Sequence, residues 1–177
     1  MKNILFVGTI QPRKNLVALI QAFSLVAGKL RDYRLVIVGA AGWETEEIFS
    51  APARFGIQEK VEFRGRVSES ALQELYLGAS LYVQPSLTEG FGLPVLEAME
   101  VGVPVIVSDG GALVEVVGDG GVVVGLGANF VTNLASAMER VLTDQKLRNR
   151  LITTGYKRVK FLTWDRAAKS TLKLLVE

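Results

Sequence analysis

The sequence predicts an α/β domain built on a single doubly wound parallel sheet. Three observations carry this expectation. Short apolar runs rich in Val, Ile and Leu recur along the 177 residues. They show little apolar–polar alternation, as expected of strands buried on both faces. Stretches with helical spacing separate them, and alternating strands and helices call for a parallel sheet with helices on both sides.

The elements follow in order. The first run is 4–7, and the helical stretch after it, 16–30, places Leu16, Leu19, Ile20, Phe23 and Val26 on one face. Runs at 35–38 and 61–63 come next. Ser68 or Ser70 can cap a helix that stops near Gly78. The fourth run is 81–83; Pro94 suits the first position of the helix after it, and Gly102 suits its stop. Runs at 105–107 and 122–124 complete the set, and the last third reads as helices over 129–142, 145–160 and 163–176. No repeat, low-complexity tract or linker interrupts the chain, so residues 1–177 are expected to form one Rossmann-like domain.

Composition narrows the chemistry. The net charge of +2 gives no electrostatic signature of a nucleic-acid partner. No apolar run approaches the ~18 residues that span a bilayer, and a cytoplasmic location is expected. Cysteine and histidine are both absent. A thiolate nucleophile, a complete Ser-His-Asp triad within the chain and a zinc-thiolate site are thereby excluded. Acid–base work by this chain falls to Asp, Glu, Lys or Tyr.

In an open parallel sheet, ligands bind beyond the carboxyl ends of the strands. Glycines cluster at those ends: Gly8, Gly39 and Gly42, Gly65, Gly90 and Gly92, Gly110 and Gly111. There they serve either as plain tight turns or as places where backbone amides meet phosphate and hydroxyl oxygens. Neither G-x-G-x-x-G nor G-x-x-x-x-G-K-[ST] occurs, which disfavours a dinucleotide dehydrogenase and a P-loop ATPase.

Two charged features stand out. Arg13 and Lys14 precede the first helix, where cations oppose the helix dipole. A bound diphosphate would resolve that conflict, gripped by the guanidinium fork and the ammonium; a solvated surface pair is the plainer alternative. The segment Glu89-Gly90-Phe91-Gly92-Leu93-Pro94-Val95-Leu96-Glu97 puts a carboxylate before a glycine loop and a second one in the first turn of the next helix. The dipole alone can account for Glu97. Glu89 has no such explanation, and a carboxylate there suits two adjacent sugar hydroxyls, with the amides of Gly90, Phe91, Gly92 and Leu93 as further donors.

Two glutamates separated by seven residues, with Gly-Phe-Gly after the first, resemble the donor motif of retaining GT-B glycosyltransferases of the large family four. The likeness extends over nearly the whole chain. Phe6-Val7-Gly8-Thr9 with Pro12-Arg13-Lys14-Asn15-Leu16 resembles the phosphate-binding opening of the C-terminal domain. Gly42-Trp43 and Glu46-Glu47-Ile48 resemble the mannosyltransferase-like branch. Pro85-Ser86, Gly102-Val103-Pro104-Val105-Ile106, Glu115-Val116-Val117-Gly118-Asp119 and Phe161-Leu162-Thr163-Trp164-Asp165 also fit in order.

The resemblance implies site residues. Lys14 and Arg13 would hold the donor diphosphate near Gly8 and Thr9, and with Glu89 would form the catalytic group. Glu97 would bind the ribose, and Glu89 with Gly90, Phe91, Gly92 and Leu93 would face the transferred sugar. Gly65, Arg66 and Val67 would line the base pocket. Many members carry arginine where this chain has Thr9, which shifts phosphate charge onto Arg13. The donor would be of the GDP-mannose, UDP-glucose or ADP-glucose type, with no metal and no other cofactor.

By the same resemblance the chain is the C-terminal half of a GT-B fold, with the N-terminal acceptor domain absent, and is inactive alone. Two other readings stay open: a non-catalytic nucleotide-sugar-binding module paired with a partner, and a GT-B-like epimerase, which the lack of histidine disfavours. The 145–176 stretch carries nine basic residues and one acid. That suits a solvated helical face, or contact with an anionic membrane surface where lipid-linked acceptors lie. Trp164, Ala168, Leu172 and Leu175 share one stripe, read as core or as the surface that meets the missing domain.

Overall fold

A computed structural model describes residues 1–176, with the backbone alone at 176. All six apolar runs are strands: β1 (Lys2–Val7), β2 (Tyr33–Val38), β3 (Val61–Gly65), β4 (Ala79–Gln84), β5 (Val105–Ser108) and β6 (Gly121–Val124). They form one sheet in the order β3-β2-β1-β4-β5-β6, and every pairing is parallel. Both faces are covered, which is why the central strands lack alternation: β4 is buried at all six positions.

The helices are α1 (Leu16–Val26), α2 (Glu46–Arg54), α3 (Glu69–Leu77), α4 (Leu93–Glu100), α5 (Leu113–Val117), α6 (Phe130–Thr143), α7 (Gln145–Phe161) and α8 (Trp164–Val176). One core joins α1, α2 and α6 to the sheet through residues such as Phe23, Ile48 and Met138. The other joins α3, α4 and α5 through Tyr76, Met99 and Leu113. Burial of large, fully enclosed side chains such as Tyr82, Phe6, Phe23 and Met138 supplies the main folding force, at ~25 cal/mol per Å² of apolar surface.

Three expectations need correction. The first helix stops at Val26 rather than residue 30. Ala27 and Leu30 remain buried in the turn after it, so apolar spacing outran the helix. Glu97 lies in the second turn of α4, whose first turn holds no acid, so the helix dipole does not account for it. The stripe on α8 is not core: Trp164 is 82% exposed and Leu175 77%. Among the described residues, no helix is long and apolar enough to cross a membrane.

Strand order sets the place of the site. The chain winds outward from β1 to β3, then returns to β4 on the other side of β1. The loops after β1 and β4 therefore leave the sheet in opposite directions, and the crevice between them is where open α/β sheets bind ligands.

Candidate functional site

The β1 loop begins with a close approach of backbones. A Cβ on Gly39 would lie 1.9 Å from the Gly8 carbonyl oxygen, so only glycine lets the β1 and β2 ends sit this near. The Gly39 amide in turn donates to the Gly65 carbonyl at 2.8 Å. Gly8, Gly39 and Gly65 thus form a continuous backbone seam across the carboxyl ends of β1, β2 and β3. Thr9 and Arg66 are exposed along this rim, and Val67 is partly buried against the second core.

Beyond Gly8 the chain makes a 3-10 turn, Pro12–Lys14. Asn15 follows in the left-handed region at φ 54° and starts α1. Asparagine tolerates that conformation, and its Nδ2 donates to the Pro85 carbonyl at 3.2 Å. The turn presents Arg13 and Lys14 toward the loop after β4.

That loop carries Glu89. Lys14 Nζ donates to Glu89 Oε1 at 2.5 Å and Arg13 Nη1 to Oε2 at 3.1 Å. Arg13 Nη1 also reaches the Thr88 carbonyl at 2.5 Å. Ser86 Oγ and Gln84 Nε2 add donors to Oε1 at 2.7 and 2.9 Å. Burial alone would raise the Glu89 carboxyl; the hydrogen bonds from Lys14, Ser86 and Arg13 outweigh it and hold the group below its ordinary value. The conflict of two cations near a helix start is therefore met within the chain by this carboxylate.

Two glycines on the β5 side make room for this loop. A Cβ on Gly110 would lie 2.3 Å from the Ser86 carbonyl oxygen. One on Gly111, at φ 69°, would lie 2.4 Å from that of Glu89. Ala112 donates its amide to the Glu89 carbonyl at 3.0 Å, and Ser108 Oγ donates to the Ser86 carbonyl at 2.5 Å. After Glu89, Gly90 has open space around it and Gly92 adopts φ 99° at the start of α4. Phe91 and Leu93 are exposed here.

Glu97 stands apart from the Glu89 cluster. It is exposed on α4 and accepts a hydrogen bond from the Tyr76 hydroxyl at 2.7 Å. Burial, and then Tyr82 and Glu97, push the Tyr76 hydroxyl pKa far up, so it stays a donor.

The structure brings Arg13, Lys14 and Glu89 into contact, with Gly90, Phe91, Gly92 and Leu93 directly following. It sets Gly65, Arg66 and Val67 two strands away from β1, joined to it by the glycine seam. Sequence reasoning missed Tyr76, Tyr82, Gln84 and the role of Ser86. Tyr82, Gln84 and Ser86 recur with period two, which was the available signal. Among the described residues, no three Asp or Glu side chains gather as a metal site would require.

A basic pair, a carboxylate pinned between its two cations and a glycine-rich loop lie together at the carboxyl edge of the sheet. Known proteins share the arrangement's framework. Residues 1–158 match the family described as Glycosyl transferases group 1. The chain is 36% identical over 169 residues to the O-antigen chain mannosyltransferase B of Escherichia coli, covering 95% of this chain and 44% of that protein. It is 30% identical over 177 residues to the phosphatidyl-myo-inositol mannosyltransferase of Mycobacterium leprae, covering 98% of this chain and 46% of that one. The chain thus spans less than half the length of these relatives. Sucrose-phosphate synthase from Thermosynechococcus elongatus superimposes with a TM-score of 0.82 at 27% identity, over 98% of this chain and 44% of that chain. The C-terminal domain of the group 1 glycosyl transferase LpcC from Francisella tularensis does so with a TM-score of 0.78 at 26% identity, over 90% of this chain and 85% of that one.

Proposed function

The chain belongs to the group 1 glycosyl transferases, and from that membership we propose that it is the donor-binding half of a retaining GT-B hexosyltransferase. It holds a nucleoside diphosphate sugar while a hydroxyl acceptor, bound by an N-terminal domain, attacks the anomeric carbon. GDP-mannose is the first choice of donor and a UDP- or ADP-glucose type the second. The mannosyltransferase names of the relatives favour mannose.

The observation that carries this reading is the Arg13–Glu89–Lys14 cluster at the switch point of the sheet. Arg13 and Lys14 take the diphosphate near Gly8 and Thr9 and neutralise charge as it leaves, so the reaction as proposed calls for no metal. Glu89 faces the transferred sugar, where a carboxylate stabilises positive charge developing at the anomeric carbon. The amides of Gly90, Phe91, Gly92 and Leu93 add donors. Glu97 takes the ribose, and Gly65, Arg66 and Val67 border the base.

Catalysis needs both walls of a cleft, so the chain alone binds without turnover. The exposed apolar residues Trp164, Leu172, Leu174 and Leu175 on α8 are suited to packing on a second domain, and the further length of the relatives supports one. The basic α7 surface is suited to an anionic lipid face, in a protein working at the cytoplasmic side of a membrane.

A thermal-shift panel of GDP, UDP and ADP with their sugars tests the donor site, since a ligand that binds only the folded state raises its melting temperature. One nucleotide series should stabilise the chain; none doing so would overturn the donor-site reading. Sugar transfer by the purified chain without a partner would overturn the half-enzyme reading.

A further inference from the structure

The two oxygens of Glu89 are not equivalent. Oε1 accepts from three donors: Lys14 Nζ, Ser86 Oγ and Gln84 Nε2, at 2.5, 2.7 and 2.9 Å. Oε2 has Arg13 Nη1 at 3.1 Å as its donor among the described residues. A carboxylate has about four acceptor sites over its two oxygens, so Oε1 is saturated and Oε2 keeps capacity for a ligand.

We propose that Gln84 is a positioning residue that locks Glu89 Oε1 inward, so that Glu89 offers Oε2 alone to the hydroxyls of the donor sugar. This rests on the donor-site reading above.

Gln84 can do this because its amide is itself oriented. A primary amide has an accepting and a donating end. Tyr82 Oη donates to Gln84 Oε1 at 2.5 Å, which leaves Nε2 for Glu89 and, at 2.8 Å, for Ser86 Oγ. The reversed amide would set its oxygen against the carboxylate, two acceptors facing each other. Tyr82 and Gln84 are next neighbours on the same face of β4, and burial keeps both from water that would otherwise substitute for either bond. Burial pushes the Tyr82 hydroxyl pKa well up, so the donor at the base of the chain persists at any working pH.

The charged groups around the relay are few. Arg13 and Lys14 approach Glu89 from the 3-10 turn. Glu97 on α4 is engaged through Tyr76, whose ring lies 6.1 Å from that of Tyr82. Gln84 adds no charge, so the cluster keeps one carboxylate between two cations. A residue without a donor at 84 would remove its own bond to Oε1 and also the 2.8 Å donation that aims the Ser86 hydroxyl at Oε1, leaving Lys14 to hold that oxygen and letting the carboxylate turn.

The test uses Gln84→Met, which keeps length and removes the donor, and Tyr82→Phe, which keeps the ring and removes the hydroxyl. The Glu89 side-chain carboxyl carbon is titrated by NMR without ligand, and GDP and GDP-mannose are titrated by calorimetry. With Gln84→Met, Glu89 should titrate at higher pH than in the wild type, and GDP-mannose should bind about five- to tenfold more weakly with GDP unchanged. Tyr82→Phe should move both readouts in the same directions by less.

An unmoved Glu89 titration in a folded Gln84→Met overturns the proposal. If that variant does not fold, an unmoved titration in Tyr82→Phe overturns it equally. Equal weakening of GDP and GDP-mannose overturns the presentation of one oxygen to the sugar. If the wild type binds neither probe, it is the donor-site reading that fails for this nucleotide; the ligand-free titration still decides whether Gln84 positions Glu89.

Discussion

The amide of Leu87 donates to the carbonyl of Arg13 at 2.9 Å, joining the loop after β4 to the turn after β1 by their backbones. Asn15 Nδ2 reinforces the joint through the Pro85 carbonyl. The two loops therefore hold their relative position without the Arg13 and Lys14 side chains. Those side chains can be removed while the backbone frame of the site persists.

Replacing Arg13 and Lys14 together with Ala should cost about 2–4 kcal/mol of nucleoside diphosphate binding, from two charge-assisted contacts. The loss should be smaller for the corresponding monophosphate. Calorimetry with both nucleotides measures it; an unchanged affinity would remove the pair from the ligand site.

Glu89→Gln and Glu97→Gln should separate. Glu97 is exposed and accepts a hydrogen bond from Tyr76; on the proposed ribose role, its substitution should weaken bare nucleotide and nucleotide sugar alike. Glu89→Gln should weaken mainly the intact donor and should depress the catalytic rate of a two-domain enzyme. Paired titrations decide: equal losses for bare nucleotide in both variants would refute the division, and no loss in either would make the carboxylates structural.

Stability should depend on pH through Glu89. Its carboxyl titrates below the ordinary value of 4.5 in the folded chain, so the unfolded chain binds a proton first as pH falls. The stabilisation is fully present above that ordinary value and is lost as pH falls through the folded value. Wild type should thus exceed Glu89→Gln in denaturant stability by a constant margin from pH 6 to 8, and the margin should shrink in acid. A margin that grows in acid would contradict the ion-paired geometry.

Gly39→Ala and Gly90→Ala should differ sharply. At Gly39 the new Cβ would overlap the Gly8 carbonyl at a φ of 147°, and backbone must move, so the cost should be ~3 kcal/mol or more. At Gly90 a Cβ meets nothing within 4 Å, so stability should hold within ~0.5 kcal/mol. Thermal unfolding of the two variants provides the comparison.

Much of this fold was legible because burial on both faces leaves unbroken apolar runs, and all six proved to be strands. Helix α2 escaped notice because Pro52, a residue that ordinarily breaks a helix, sits inside it. At five residues, α5 is too short to show a period. Arg13, Lys14 and Glu89 were legible as charges in glycine-rich loops. Gln84 was not: one polar residue closing an apolar strand looks like the start of a loop. Its period-two spacing with Tyr82 and Ser86 put the three on one face, but the fold alone puts that face beneath Glu89. On α8 the stripe left core and docking face both open, because periodicity reports that a face is apolar, not what covers it.

The contacts of Glu89 with Arg13 and Lys14 span 76 and 75 residues of chain, across the β1–β4 pairing at the sheet centre. Such a contact waits on the closure of a long loop, so the site is expected to come together late in folding. A partly folded chain, even one holding the β1–β2 pair, lacks the Arg13–Lys14–Glu89 cluster. A ligand bound at this crevice should therefore protect slow-exchanging amides throughout the sheet, and not only those of the two loops it touches.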